Sequence, residues 1–165
     1  MTFSVGTTSP TSIEPSCVPI ELAQPINLSL DKLFEKNTGC NVLFVSVPGA
    51  FIPNCTENNI APYLDNLASV NDAFLNNAWG KLLLKNAKLG AADQLPTVIF
   101  ASDPNAKFSQ DNGISVDLTG MGLGVRTARN AFIFNADTRT MTYLGAESGF
   151  GVTASGLKAV QAVKF

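Results

Sequence analysis

The chain alternates short apolar runs with polar, turn-forming segments. Asn41-Val42-Leu43-Phe44-Val45-Ser46-Val47 is apolar on both alternating faces and stops at Pro48-Gly49, so it predicts a buried strand closed by a turn. Thr97-Val98-Ile99-Phe100-Ala101 predicts a second buried strand, ended by Ser102-Asp103-Pro104. Asn130 to Asn135 and Thr140 to Leu144 predict two strands joined through Asp137-Thr138 as a hairpin. Between these runs the spacing turns helical. Ser29 to Phe34 predicts a helical turn with Ser29 or Asp31 near its start, and Pro53-Asn54-Cys55-Thr56-Glu57 opens a helix running to about Leu67. Phe74, Leu75, Trp79, Leu82 and Leu83 supply one face of a helix starting at Asn71-Asp72. Thr153 or Ser155 is placed to cap a last helix carrying Leu157, Val160, Ala162 and Val163. Residues 1–29, rich in Ser, Thr and Pro, predict irregular or short-stranded packing over the core. The alternation of strands and helices, with a hairpin near the end, predicts an α/β architecture with a mixed sheet.

Composition narrows this picture. The 165 residues suit one domain, 1–165, and 45% apolar residues with a mean hydropathy of +0.18 supply a sizeable core. Charged residues make up 15%, against about 25% on average, which excludes wholesale disorder. A net charge of −2 argues against a bulk nucleic-acid binder. Residues 1–80 carry −5 and residues 81–165 carry +3, with all three arginines between 126 and 139. They predict either one basic spot near a site or ordinary surface charge. The histidine count is zero, which removes Ser-His-Asp triads, Cys-His dyads and His-ligated zinc. Gly120-Met121-Gly122-Leu123-Gly124 lacks the spacing of a dinucleotide fingerprint, so no cofactor is expected. The chemistry is left to sulfur, carboxylate and hydroxyl.

Three cysteines, 17, 40 and 55, do not all pair within one chain, and Met1 to Gly6 lacks the basic region of a secretory signal. No run approaches the roughly 20 apolar residues of a membrane span. The expectation is a reduced intracellular protein, in the cytoplasm, with a peroxisome or other organelle as the alternative, since Val163-Lys164-Phe165 distantly echoes a peroxisomal Ser-Lys-Leu ending. Cys40, beside the apolar strand, predicts a buried or edge thiol.

Cys55 sits in the first turn of a helix, directly after a strand and a turn. Unpaired N–H groups and the helix dipole there favour a thiolate, and a nearby arginine adds to the effect. A cysteine becomes a nucleophile this way without histidine. From position alone it reads equally as an ordinary core thiol.

The string Pro48-Gly49-Ala50-Phe51-Ile52-Pro53-Asn54-Cys55-Thr56-Glu57 closely resembles the peroxidatic loop of peroxiredoxins, in the branch of peroxiredoxin five and the fungal alkyl hydroperoxide reductases, the redoxins. The resemblance continues through Val70-Asn71-Asp72-Ala73-Phe74, Ala78-Trp79-Gly80-Lys81, Phe100-Ala101-Ser102-Asp103-Pro104 and Gly122-Leu123-Gly124-Val125-Arg126-Thr127-Ala128-Arg129, in the family's order over residues 40 to 150. It implies a thioredoxin-like fold and reduction of hydrogen peroxide and alkyl hydroperoxides. On the same grounds Cys55 attacks the peroxide and becomes a sulfenic acid, Arg129 stabilises the thiolate and polarises the peroxide, and Pro48 shields the loop from water. The resemblance also implies that backbone N–H groups near Cys55 help to hold the peroxide oxygens and that Gly49, Ala50, Phe51 and Ile52 form the substrate loop. An ion pair with Glu57 or another acid is the structural alternative for Arg129.

Three positions depart from the family pattern. Ile52 stands where relatives have Thr or Ser, and Asn59 where they have His. About a dozen residues, including one strand, are missing where Asn66-Leu67-Ala68-Ser69-Val70 runs directly into the next block. The fold expected is therefore thioredoxin-like α/β with a mixed central sheet flanked by helices, lacking one strand after the active-site helix.

A sulfenic acid needs a thiol to resolve it. Cys17-Val18-Pro19-Ile20 resembles the N-terminal Cys-x-x-Pro context in which some fungal relatives carry the resolving cysteine, 38 residues before Cys55. The partners implied are a peroxide, a reductant (thioredoxin, glutaredoxin or glutathione) and a second copy in a homodimer. The competing reading is an attenuated or inactive relative acting as a redox-sensing or interaction module.

Overall fold

The computed structural model describes residues 2–10, 16–17, 26–64, 99 and 101–164. Its elements begin with β1 (Ser16–Cys17), β2 (Ile26–Asn27), α1 (Leu30–Lys36) and β3 (Asn41–Ser46). A π-helical segment (Asn54–Ile60) runs straight into α2 (Ala61–Leu64). After residue 100 come β4 (Ala101–Ser102), a 3-10 turn (Pro104–Ala106), α3 (Lys107–Asp111) and β5 (Ser115–Asp117). Then follow a second 3-10 turn (Thr119–Met121), β6 (Val125–Thr127), β7 (Asn130–Asn135), β8 (Met141–Ala146) and α4 (Leu157–Gln161).

The apolar runs from Asn41, Asn130 and Thr140 form strands as their patterns predict, whereas of the run from Thr97 to Ala101 the described Ile99 lies in no strand and only Ala101 enters β4, which continues into Ser102. β3 pairs with β7 in register from Asn41 opposite Asn135 to Ser46 opposite Asn130, and β7 pairs with β8 as the expected hairpin. All described pairings are antiparallel, in the orders β2-β1-β4, β3-β7-β8 and β5-β6. The expected helix from Asn71, the strand from Thr97 to Phe100 apart from Ile99, and the missing-strand junction at 66–70 lie outside the described residues.

Alternation along β3 and β7 divides the core in two. Val45, Ala131 and Ile133 face one cluster with Val47, Cys55, Ile60, Tyr63 and Val160. Phe132 and Phe134 face the other with Phe3, Leu30, Phe34 and Phe108. Both faces of the sheet are thus covered, as a strand apolar on both sides requires. In the second cluster Phe44 stacks on Phe132 at 5.1 Å, and Phe3 meets Phe108, Phe132 and Phe134 edge to face. Phe3 shows that the polar N-terminal stretch does pack over the core.

Helix ends follow local chemistry with one correction. Ser29 caps α1, its hydroxyl accepting from the Lys32 N–H at 3.4 Å. Gly156, without a side-chain bond, stands at the start of α4, not Thr153 or Ser155. Their hydroxyls are engaged elsewhere: both donate to the carboxylate of Glu147, at 2.8 and 2.9 Å, and both backbone N–H groups do so at 2.6 and 2.7 Å. Of the residues expected to pack that helix, Leu157, Val160 and Val163 join the first cluster, while Ala162 is exposed. Gly145 lets this C-terminal turn approach β8. A Cβ there would overlap the Ala154 carbonyl and lie 2.6 Å from the Tyr143 hydroxyl.

Two outcomes follow. Phe132→Ala removes a ring held at 3% exposure between three others and is expected to cost about 3–5 kcal/mol, read as a lowered midpoint in denaturant unfolding at an unchanged slope. Partial burial pushes the Glu147 carboxyl up, but the Ser155 and Thr153 donors outweigh it and hold the group below its ordinary value of 4.5. A carboxyl depressed in the folded state adds stability that is complete above its unfolded value and lost as pH falls through the folded one. Tyr63 and Tyr143, the other titratable groups facing it, stay neutral in acid. The melting-temperature gap between the native chain and Glu147→Gln is therefore expected to close as pH is taken below 4.5, and a gap independent of pH contradicts this.

Candidate active site

The site is assembled where the end of β3 meets the open end of the β7–β8 hairpin. β3 delivers the chain through Val47 into the turn Pro48–Pro53, and the turn starts the helix that carries Cys55. Pro53 is already helical at φ −52°, as a proline at a helix start should be. The helix is π-type over its first seven residues, a form concentrated at functional sites, and the sequence did not announce it. The Ile52 carbonyl accepts from both the N–H and the hydroxyl of Thr56, at 2.8 and 2.9 Å, and so closes the first turn.

Pro48, Gly49 and Ala50 are half-buried, and Phe51 stands 46% exposed in left-handed backbone at φ 58°. Such a conformation in a bulky residue costs on the order of 1–3 kcal/mol and clusters at functional turns. Ala50 and Ile52 pack against the cluster that contains Cys55. Ile52 also presses on Gly49, where a Cβ would sit 2.5 Å from the Ile52 Cδ1. Glycine at 49 is thus matched to the branched side chain at 52.

Cys55 is 1% exposed and Arg129 4%. The Arg129 Nη2 donates to the Cys55 Sγ at 3.2 Å, across 74 residues of sequence. Among the described residues Arg129 makes no ion pair: Glu57 is exposed, and the described salt bridges join Lys107 to Asp111 and Arg139 to Asp31 and Glu35. The three arginines therefore form no single basic spot. Arg126 is exposed and donates to the Leu123 carbonyl, and Arg139 ties the hairpin to α1.

The backbone on both sides of Arg129 is fixed. The Ala128 carbonyl accepts from the Ser46 hydroxyl at 2.8 Å and from the Asn130 amide at 3.1 Å, and that amide also reaches the Ser46 oxygen at 3.2 Å. The Arg129 carbonyl accepts from the Glu147 N–H at 3.1 Å. Two of the arginine's own donors, Nε and Nη1, are buried without a hydrogen-bond partner.

The helix is held along its length by the segment after β8. Asn54 donates to the Phe150 carbonyl at 2.5 Å. Asn59, fully buried, donates to the Ser155 carbonyl and hydroxyl at 3.3 and 3.4 Å. The Tyr63 hydroxyl donates to the same carbonyl at 2.6 Å, and burial, with Tyr143 and Glu147 nearby, pushes its pKa well up. The sequence signal missed here was Glu147, the sole acid after Asp137.

Cys40 is exposed, so of its two expected positions the edge is correct. Cys17 lies in β1, its backbone opposite Ile26 and Ala101. Among the described residues no three His, Cys, Asp or Glu gather as metal ligands, and no helix is long and apolar enough to cross a membrane.

Residues 12–160 match the redoxin family. A Lipomyces kononenkoae protein named as a peroxisomal peroxiredoxin is 38% identical over 151 residues, 84% of this chain and 82% of its own length. A Candida boidinii protein named peroxiredoxin-A is 34% identical over 163 residues, 91% of each chain. Among solved structures, reduced Prx3 of Vibrio vulnificus in complex with hydrogen peroxide superposes with a TM-score of 0.75 at 26% identity, covering 97% of this chain and 94% of that one. The thioredoxin-like α/β fold is that of peroxiredoxin structures, and the family match over residues 12–160 agrees: the chain is a member of the redoxin family, a peroxiredoxin.

Proposed function

We propose that this chain, acting as one domain over 1–165, reduces hydrogen peroxide and alkyl hydroperoxides through Cys55. The single observation that carries the reading is the Arg129 Nη2 to Cys55 Sγ hydrogen bond of 3.2 Å between two buried groups. The guanidinium donor holds the sulfur in place and faces the charge it carries as a nucleophile. The thiolate attacks the terminal peroxide oxygen, the O–O bond breaks, and the sulfur gives up two electrons to become a sulfenic acid while the other oxygen leaves as alkoxide or hydroxide and takes a proton from solvent to become alcohol or water. The unpartnered Nε and Nη1 of Arg129 are donors for those oxygens as charge develops on them. In this reading Pro48 shields the loop and Gly49, Ala50, Phe51 and Ile52 border the peroxide.

A thiol then resolves the sulfenic acid, with Cys17 as the candidate within the chain or across a homodimer, and thioredoxin, glutaredoxin or glutathione as the external reductant. The cytoplasm or a peroxisome-type organelle is the compartment proposed, the second because a relative is named peroxisomal.

One observation favours a second reading, an attenuated enzyme serving as a redox sensor or interaction module. Ile52 places an alkyl group against the cluster holding Cys55, where relatives offer a hydroxyl.

In stopped-flow oxidation by hydrogen peroxide and cumene hydroperoxide, the native chain is expected to react far faster than a free thiol and Cys55→Ser not at all. Arg129→Met is expected to lose at least about a hundredfold, the scale of a donor aimed at developing charge. Free-thiol kinetics in the native chain would sink the reading. Ile52→Thr is expected to raise the rate about tenfold, since one hydrogen bond in a closed site is worth on the order of 1–3 kcal/mol. An unchanged rate removes the case for attenuation.

A further inference from the structure

Cys55 is 1% exposed, and the apolar cluster that encloses it takes in Ala50 and Ile52 of the preceding turn. So tight a wall admits the O–O head of a hydroperoxide and little more. Hydrogen peroxide is all head. An alkyl or aryl hydroperoxide also carries an organic body, and that body stays outside, over the rim of the site. What lines the rim therefore decides which hydroperoxides are held.

Asn54, the residue before the cysteine, donates its amide to the Phe150 carbonyl at 2.5 Å. The segment after β8 is thereby brought against the first turn of the Cys55 helix, the end into which the Pro48–Pro53 turn also leads. Phe150 is 68% exposed, more than any other large apolar side chain among the described residues. Its backbone is held while its ring stands in solvent. Phe51, three residues before Asn54, is 46% exposed at the same end. Gly149 and Gly151 flank Phe150, and neither lies in left-handed backbone. A Cβ at 149 would meet no atom within 4 Å, and one at 151 only the Glu147 carboxylate, at 3.8 Å. No close approach requires either glycine; what the two provide is open space on both sides of the ring. Ser148 beside them is exposed as well. The apolar surface here is at most two rings wide, far below the roughly 800 Å² that a stable protein partner covers. It has the size of a small organic group.

We propose that Phe150 is a specificity-determining residue: a surface rest for the organic body of a hydroperoxide whose O–O head reaches Cys55. The inference rests on the peroxidase reading and deepens it by naming the substrate class, hydroperoxides whose apolar body is large enough to cover a phenyl ring. Contact removes apolar area of both partners from water, and an aromatic body adds the offset or edge-to-face preference of paired rings. The reacting atoms are the same for every hydroperoxide, so the gain lies in binding and appears in KM more than in kcat. Hydrogen peroxide has no body and gains nothing from the ring. The bond from Asn54 ends on a main-chain carbonyl, which any residue at 150 supplies, so the ring can be removed with its anchor left in place.

The test compares stopped-flow oxidation of the full chain by cumene hydroperoxide and tert-butyl hydroperoxide, each rate taken relative to that of a free thiol. Both are tertiary hydroperoxides with the same reacting group, and they differ by a phenyl in place of a methyl. The native chain is expected to favour the cumyl compound about tenfold. Phe150→Ala is expected to bring the two rates close together, and Phe150→Leu, apolar but without a ring, to fall between. Hydrogen peroxide reports the head alone. A native chain that is fast with hydrogen peroxide but shows no preference, or one whose preference survives in Phe150→Ala, overturns the rest and leaves the peroxidase reading standing. Rates that fall equally with all three peroxides in Phe150→Ala also overturn it, because the segment then acts by placing Asn54. A changed sedimentation mass in Phe150→Ala with the preference unmoved assigns the ring to a second copy of the chain and overturns it likewise. A native chain at free-thiol rates with all three overturns the peroxidase reading, and the rest with it.

Discussion

The structure depends on a buried guanidinium. Removing an arginine's charge from water costs several kcal/mol unless partners compensate, and among the described residues the Arg129 guanidinium, at 4% exposure, has one, the sulfur of Cys55. An arginine so poorly satisfied would swing to solvent if its backbone allowed. It does not, because the residue enters a central strand. Ser46 and Asn130 pin the peptide before it and Glu147 pins the carbonyl after it. The aromatic cluster behind β7 then resists any shift of the strand that would relieve the burial. Core packing on one face of the sheet is what keeps an unsatisfied cation in place on the other.

The same constraint explains the form of the Cys55 helix. Its sulfur must meet an arginine fixed by the sheet, while Asn59 and Tyr63 must meet a carbonyl fixed by Glu147. A π-type turn widens the helix between these anchor points, and it starts from a turn already carrying left-handed backbone at Phe51. Both are local costs borne beside the Cys55–Arg129 pair, and they persist because the surrounding fold over-determines that backbone. Gly49 belongs to the same arrangement: its missing Cβ is the space that Ile52 occupies.

Much of this was legible in the sequence, for physical reasons. β3 and the hairpin were readable because a strand buried on both faces must be apolar on both, and Asn41 to Val47 and Asn130 to Asn135 are. Ser29 was readable as a cap because one hydroxyl satisfies one orphan N–H. Cys55 and Arg129 were readable together only through the resemblance, since nothing in the spacing of 74 residues brings them within 3.2 Å. The wrong reading at Thr153 and Ser155 has a definite cause. Ser and Thr before an apolar stripe signal a cap, but a carboxylate six and eight residues upstream competes for the same hydroxyls and wins. The grip on the helix was invisible because its acceptors are the carbonyls of Phe150 and Ser155, groups every residue possesses.

That last point bears on how this site tolerates change. Where a side chain meets a backbone carbonyl, the acceptor survives substitution of its own residue, and only the geometry of the segment matters. Asn59 illustrates the consequence: its amide donates to the Ser155 carbonyl, an acceptor that any residue at 155 would supply. Its cost is the buried, unpartnered Asn59 Oδ1, about 1–3 kcal/mol for an unsatisfied polar atom. Ile52 has no such substitute, because an alkyl group neither donates nor accepts. A site with no histidine in the whole chain can thus keep its architecture through backbone acceptors, while Ile52, packed against the cluster that contains Cys55, holds its place by van der Waals contact alone.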